Sequence, residues 1–341
     1  MRRIIQFVVG VMVAWPLGAL AWEFEYRSPI NLFLDHSYLL FSPDRIKVNG
    51  DPHSPAALLF EGQIAPNLYL PQWHAGDDDA QHVVSAVVTP LIQLRMLNLQ
   101  PSRDPIIPPS FKPKLTLQYL YLKHWNVEDE PGRYTGIGTN LILGHYSNGA
   151  AGCFFANQTG TYPNCVPAQG QLPLNEVSGS FSTNYIRGEL HGQFGFDVDL
   201  VQRSAWVVGG SVALEVNSSL GPGGIPVEQR RVYGRGHIGS EATLERYWSG
   251  NSGRLSVAFS IPYDETPRQE PTVSVEAAYI PHWLFNGFGA FVRYVNGQDY
   301  YNILFLEHVN LFQFGVTFEL GPGLCAPPLD LNCTPKTGRN M

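Results

Sequence analysis

Residues 142–149 (ILGHYSNG) combine side chains that could do chemistry with the apolar pattern of a strand. In an extended strand alternate side chains share a face, so His145 and Ser147 lie on the same side as Leu141 and Leu143. A serine hydroxyl is a weak nucleophile until a neighbouring base removes its proton, and histidine most often serves as that base. The two-residue spacing therefore predicts a nucleophile and a base near the end of one strand.

A third polar side chain interrupts the apolar face of the segment that follows. From Ser182 onward the even positions carry Asn184, Ile186 and Leu190. Asn184 is therefore an amide on an otherwise apolar face, near the same end of the strand expected to pair with the His145 strand. Adjacent antiparallel strands place such residues within side-chain reach. An amide oxygen that accepts from the second ring nitrogen of His145 would hold the imidazole in the tautomer that a general base requires.

The amino-acid composition favours strands over helices as the elements that position these residues. The 341 residues are 44% apolar and only 15% charged, with 34 Gly, 16 Tyr and 19 Phe. Aromatic residues are enriched in strands and glycine in turns. The net charge of −7 argues against the basic surface that nucleic-acid binding requires, so we expect no nucleic-acid partner.

The beginning of the chain has the pattern of a secretory signal peptide. Two arginines are followed by an apolar stretch and by Ala19-Leu20-Ala21, a small-x-small cleavage pattern. We therefore expect residues 1–21 to be removed on export. An uncleaved membrane anchor is the alternative, which the short segment and its Pro16 disfavour.

Export places the chain in an oxidising compartment, where cysteines pair. The four cysteines form two close pairs in the sequence, Cys153 with Cys165 and Cys325 with Cys333. We predict two local disulfides, each closing a small loop. Metal binding is the weaker interpretation, because no histidine or further cysteine stands at ligand spacing beside either pair.

Alternation of apolar and polar residues recurs along the rest of the chain. Residues 310–320, for example, place Phe312, Phe314, Val316 and Phe318 on one face. On this basis twelve strands are predicted, at residues 31–41, 60–73, 82–96, 114–126, 135–147, 181–199, 204–217, 233–248, 254–263, 272–281, 287–296 and 310–320.

Alternating segments of about ten residues are typical of a transmembrane β-barrel, although a soluble β-sandwich alternates too. Two features favour the membrane: aromatic residues lie near the strand ends, and short connections such as 200–203 alternate with long ones such as 148–180. The sequence therefore predicts an all-β fold in which residues 22–320 form a 12-stranded antiparallel transmembrane β-barrel of the bacterial outer membrane. The even strand count predicts both chain ends on the periplasmic side, with residues 321–341 as a C-terminal periplasmic tail.

On such a barrel the apolar side of each strand faces lipid, so the side chains of His145, Ser147 and Asn184 would project from the outer wall near its external rim. Polar groups that face lipid are costly and call for a reason. One reason is a substrate in the bilayer, whose ester group reaches this depth while its acyl chains rest on the apolar wall. The alternative is that the three residues are ordinary polar side chains at the membrane interface, where polarity costs little.

The string HYSNG, followed by a strand that begins STNYIRGEL, resembles the outer membrane phospholipase A family, which carries a His-x-Ser-Asn-Gly motif and an asparagine on the next strand. The segments DHSYLLF, SFKPKLTLQY, NGQDYYN and FQFGVTFEL extend the similarity along the chain. The resemblance implies that His145 is the general base, Ser147 the nucleophile and Asn184 the residue that orients His145. It also implies a phospholipase that hydrolyses acyl ester bonds of glycerophospholipids and is active as a calcium-dependent homodimer.

The chain departs from that family in three places. The position after Ser-Asn-Gly, where the family has an arginine that helps to hold calcium, is Ala150. The connection at residues 150–180 is lengthened and contains two cysteines, and a polar tail follows the last strand. The calcium ligands are therefore open, with Ser102 and Ser110, assigned here to the preceding external loop, as candidates.

Two other functions remain open from the sequence alone. A lipid A deacylase would use a similar site at the rim on a different lipid. A porin-like or purely structural barrel would leave the HYSNG patch catalytically inert, although a twelve-stranded barrel has a narrow interior that side chains can largely fill.

Overall fold

The computed structural model describes residues 30, 32–49, 51, 53–76, 79–99, 106–125, 131–156, 158–161, 164–166, 174–264, 270–281, 283–284 and 287–320. The predicted signal peptide, Ser102, and the tail with Cys325 and Cys333 lie outside the described residues.

Antiparallel strands account for most of the described chain. They are β1 (Ser37–Phe41), β2 (Arg45–Ile46), β3 (Ala56–Ile64), β4 (Leu68–Gly76), β5 (Ala80–Leu97), β6 (Ile106–Trp125), β7 (Gly132–Ser147), β8 (Ser182–Asp199), β9 (Ser204–Ser218), β10 (Gly236–Trp248), β11 (Asn251–Tyr263), β12 (Thr272–Ile280), β13 (Gly289–Gln298) and β14 (His308–Phe318).

The strands form one sheet that closes on itself. Strands β5 to β14 pair in sequence order, and β1 pairs with both β14 and β3. Strands β3 and β4 both pair with β5, so they act as one barrel strand that is interrupted at residues 65–67. Pro66 in this interruption has no N–H to donate to a neighbouring strand, which accounts for the break. Because β2 is only a two-residue addition to β3, the barrel has twelve strands, and each predicted strand overlaps an observed one.

The alternation in the sequence produces two different walls. The outer wall exposes large apolar side chains, such as Leu190 (52% exposed) and Val212 (57% exposed). The inner wall buries charge: the Arg95 guanidinium lies 2.8 Å from Glu61 and 2.7 Å from Asp299, and all three side chains are fully buried. An apolar outside around a polar inside is the arrangement of a transmembrane barrel, in which closure pairs the backbone groups away from water.

The first strand is shorter than predicted. Strand β1 begins only at Ser37, because residues 32–36 turn into the lumen instead of extending the strand. The Phe33 ring stacks on His191 with centroids 4.4 Å apart, and the Phe33 carbonyl accepts a hydrogen bond of 3.0 Å from Asn140. The prediction of a strand starting at residue 31 is therefore wrong: the apolar side chains of this segment pack inside the barrel rather than against lipid.

The connections after β7, β9 and β13 close the lumen at the end with the long loops. They include a short helix, α1 (Val227–Tyr233), and a single 3-10 turn (Asn302–Leu304). The side chains that they bury together, called the cap cluster here, are Phe154, Leu174, Phe181, Ile225, Val232, Tyr233 and Phe305. A cavity of about 330 Å³ lies in the lumen beneath the cap cluster. No helix in the described part of the chain is both long enough and apolar enough to cross a membrane.

A disulfide and the hydrogen bonds of Glu176 restrain the long loop after β7. The predicted disulfide between Cys153 and Cys165 is confirmed. Asn49 donates hydrogen bonds from its backbone N–H and its amide to the Glu176 carboxyl at 2.6 and 2.7 Å, and from the same amide to Glu307 at 2.8 Å. Burial raises the pKa of Glu176 to about 7. This carboxyl is therefore sensitive to pH in the neutral range.

Candidate active site

Strands β7 and β8 place His145 and Asn184 directly opposite each other. The two residues are partners in the sheet register, and His145 Nδ1 lies 2.8 Å from Asn184 Oδ1. Both line a groove on the outer wall, close to the long-loop end, where β7 finishes at Ser147. The predicted proximity of the histidine and the asparagine is confirmed.

The hydrogen bonds of Asn184 determine which ring nitrogen of His145 carries the hydrogen. The Asn184 Nδ2 group donates to the carbonyl oxygens of Leu220 at 3.0 Å and Pro222 at 3.1 Å, so Oδ1 is the atom that faces the imidazole. An amide oxygen only accepts, and His145 Nδ1 must therefore be the donor. In the neutral ring Nε2 is then free of hydrogen, which is the state that a general base needs.

Ser147 follows two residues after His145 on the same face of β7. Among the described residues, no hydrogen bond joins its hydroxyl to the imidazole. Catalytic hydrogen bonds are often long without substrate and tighten when substrate binds. The structure therefore brings the base and its orienting residue together, and leaves the hydroxyl two positions along the same face without a bond to the base.

The two residues after Ser147 end β7 in a tight turn. The buried Asn148 side chain accepts hydrogen bonds through Oδ1 from the backbone N–H groups of Phe181 at 2.9 Å and Ala150 at 3.2 Å. Gly149 has a φ of 63°, in the left-handed region that favours glycine. The Asn-Gly part of the motif therefore has a structural role, which is to turn the chain away from the outer wall directly after the serine.

The groove beside His145 is open toward the lipid and has a volume of about 510 Å³. Its apolar walls come from β5, β6, β7 and β8. They are Val88, Leu115, Leu143 and Ile186. Such walls suit an apolar chain, and the imidazole stands where a polar group at the end of that chain would lie.

Calcium is bound by about six to eight oxygen atoms, which carboxylates, carbonyl groups and waters can all supply. Position 150 is alanine, and no group of three or more His, Cys, Asp or Glu residues in the described ranges could hold a metal ion. The assignment of Ser110 to an external loop is wrong, because β6 begins at Ile106 and includes it. The Ser110 hydroxyl is buried on the lumen side, where it accepts a hydrogen bond of 3.1 Å from Asn302.

Sequence reasoning missed one segment that contacts the site, residues 220–223 (LGPG), which carry the two carbonyl groups bonded to Asn184. Its glycines and proline indicate a turn. Nothing in the local sequence shows that this turn returns across β8 to reach the asparagine, so only the tertiary structure reveals the contact.

The closed sheet and its apolar outside place this chain in the class of outer membrane β-barrels. Among solved structures it is similar to OmpTdeltaL8, the loop L8 deletion mutant of OmpT, an outer membrane protein of Vibrio cholerae. The identity is 8% and the TM-score 0.25, over 77% of this chain and 99% of that one. No protein-family model matches the chain, and no curated protein does.

Proposed function

We propose that this chain is an outer membrane phospholipase that hydrolyses acyl ester bonds of glycerophospholipids, of the A1 and A2 type and also in lysophospholipids. The observation that carries the proposal is the hydrogen bond between His145 and Asn184 on the outer wall, with Ser147 on the same face. An imidazole held in the tautomer of a general base, on a surface that faces lipid, is explained by chemistry on a lipid.

The proposed reaction assigns one role to each of the three residues. His145 Nε2 takes the proton of the Ser147 hydroxyl as the oxygen attacks the ester carbonyl, and then gives that proton to the departing alcohol oxygen. A water molecule, deprotonated by the same imidazole, hydrolyses the acyl-serine and releases the fatty acid. Asn184 Oδ1 holds the tautomer and stabilises the imidazolium that forms. The backbone N–H of Ser147 would supply one donor to the oxyanion.

The location of the groove supports a lipid as the substrate. Because the side chains of the three residues project from the outer wall, a substrate reaches them from the bilayer and not from the lumen. The apolar walls formed by Leu115, Leu143 and Ile186 would hold one acyl chain with its ester near the imidazole. The cap cluster and the buried ion pairs of the inner wall disfavour the alternative of a porin-like barrel.

A lipid A deacylase is the second candidate. The observation that favours it is the position of His145 near the long-loop end, which in outer membrane barrels is the outside. The outer leaflet on that side contains lipid A. The two proposals share the same three residues and differ only in the lipid.

The test is fatty acid release by the purified, refolded protein from micelles of phospholipid and, separately, of lipid A. We expect release from phospholipid, and a loss of about a thousandfold or more in Ser147→Ala and in His145→Ala. His308→Ala, a change of an exposed histidine far along the chain, is the matched control and should keep the activity. Release from lipid A alone would select the deacylase. An inactive wild type whose Ser147 is not labelled by a sulfonyl fluoride would refute both enzymes.

Calcium dependence and the formation of a homodimer remain predictions from the family resemblance. The assay therefore includes calcium in one arm and a chelator in the other, and it is repeated after separation of monomer from dimer. No step of the proposed reaction passes through the metal.

A further inference from the structure

The connection between β9 and α1 folds back over the end of β8. Residues 220–223 of this connection, called the clasp segment here, receive both hydrogen bonds that the Asn184 amide nitrogen donates. Beyond the clasp segment, the N–H of Ile225 donates to the Ser218 carbonyl at 2.9 Å, and the Ile225 side chain is buried in the cap cluster. The clasp segment is therefore held at both ends, by the outer wall and by the cap.

Gly223 brings the clasp segment into contact with the imidazole itself. A Cβ atom at this position would lie 2.6 Å from Cε1 and 3.2 Å from Nδ1 of His145, and the residue has a φ of 79°. The Ser182 hydroxyl donates a hydrogen bond of 2.9 Å to the Gly223 carbonyl and fixes this approach. Only glycine combines that backbone conformation with so close an approach to the ring.

We propose that the clasp segment is a positioning element for the base of the reaction proposed above, on which this inference rests. Its carbonyl groups fix the Asn184 amide so that the oxygen faces His145 Nδ1, and Gly223 packs against the ring and limits its rotation. Ser182, which holds the clasp segment, is a positioning residue by the same argument.

The clasp segment also explains why position 184 is asparagine and not aspartate. Asn184 Nδ2 lies 3.0 Å from the Leu220 carbonyl oxygen and 3.1 Å from the Pro222 carbonyl oxygen. A carbonyl oxygen only accepts hydrogen bonds. An amide nitrogen satisfies both, whereas a carboxylate oxygen has no hydrogen to donate and would be repelled by them. The clasp segment therefore requires an amide, and not a carboxylate, in the side chain that orients His145.

The first experiment measures kcat and KM on phospholipid micelles for two pairs of variants. We expect Ser182→Ala to lower kcat about three- to tenfold with KM unchanged, since one hydrogen bond is lost, and Ser182→Thr to restore it. We expect Gly223→Ala to lower kcat about tenfold or more. Gly221→Ala is the matched control, because Gly221 has a similar φ of 75° but its added Cβ would make only an ordinary contact of 3.8 Å with Asn184. We expect Gly221→Ala to lower kcat clearly less than Gly223→Ala does.

The second experiment needs no activity. Histidine labelled with ¹⁵N reports the tautomer of each imidazole by NMR in detergent micelles, and His145→Ala identifies the signals of His145. In the wild type we expect hydrogen on Nδ1, and in Ser182→Ala and Gly223→Ala a mixture of tautomers. Circular dichroism of each variant confirms that the barrel is folded.

The two experiments separate the possible failures. If the wild type is active and both Ser182→Ala and Gly223→Ala keep its kcat and its tautomer, the clasp segment has no positioning role and the inference is overturned, while the proposed function stands. If the wild type is inactive on every lipid, the proposed function fails, and the inference falls with it as a statement about catalysis. The tautomer spectra then show only whether the geometry itself is correct.

Discussion

Replacement of Asn184 by alanine is the sharpest single perturbation of the proposed mechanism. The side chain makes three hydrogen bonds, one to the His145 ring at 2.8 Å and two to the clasp segment. In the ground state the bond to His145 joins neutral groups, and it contributes about 0.5–1.5 kcal/mol. In the transition state the imidazole is protonated, and a bond to a charged group contributes about 1.5–3 kcal/mol.

The difference between these two contributions sets the expected size of the effect. About 1–1.5 kcal/mol of transition-state stabilisation is lost, which corresponds to about a five- to thirteenfold fall in kcat. The released clasp segment and the freed tautomer should add to this, so we expect a total loss of about ten- to a hundredfold. KM should change little, because Asn184 stabilises the imidazolium rather than the bound lipid.

The assay is steady-state hydrolysis of phospholipid in mixed micelles. Asn217→Ala is the matched control: this asparagine lies on the neighbouring strand but lines the lumen cavity. We expect the control to keep kcat within about twofold. If Asn184→Ala retains the kcat of the wild type, or loses activity only through KM, the reasoning about the tautomer is wrong.

Three further predictions concern the rest of the molecule. Arg95→Leu should lower the free energy of unfolding by about 3–5 kcal/mol, because the buried carboxylates of Glu61 and Asp299 would lose the guanidinium that lies between them. The loss of stability is measured as the fall in the temperature at which the folded band disappears on SDS gels. A fall no larger than that of the exposed Arg45→Leu would contradict the prediction. The loop that carries Glu176 should resist protease better at pH 5 than at pH 8. The pKa of Glu176 is raised from 4.5 to about 7, so the folded loop binds the proton more tightly; the stabilisation is complete below pH 4.5 and is lost as the pH rises through 7. Glu176→Gln should remove most of this difference, and a loop equally protected at both pH values in the wild type would refute it. Chelation by EDTA should lower lipid hydrolysis and added calcium should restore it, as the family resemblance implies. An unchanged rate in EDTA would contradict the calcium dependence and leave the three assigned roles in place.

Much of the fold could be predicted because a barrel strand has a local signature. Period-two alternation indicates which side of a strand faces lipid, so most of the twelve strands could be located from their own residues. The pairing of His145 with Asn184 followed from the same rule, because consecutive barrel strands are neighbours and both residues stand near the long-loop end. The disulfide between Cys153 and Cys165 followed from their closeness in the chain.

The errors lie where local patterns are ambiguous. The apolar residues before Ser37 suit a lipid-facing strand and a lumen plug equally well, and only the space left inside the closed barrel selects the plug. Ser110 was assigned to a loop because the alternation was followed back only to residue 114, yet β6 begins at Ile106 and Ser110 pairs with Gln93 of β5. In both places the answer depends on residues distant in the sequence.

The sequence by itself determined most of the twelve strands, their lipid-facing sides and the three polar residues that share one outer patch. Each of these properties depends on the repeat along a single strand or on the order of adjacent strands. The tertiary structure alone decided what fills the lumen, how the long loops form the cap, and that the clasp segment crosses β8 to fix the Asn184 amide. These contacts join residues that are remote along the chain, and their geometry exists only once the barrel has closed.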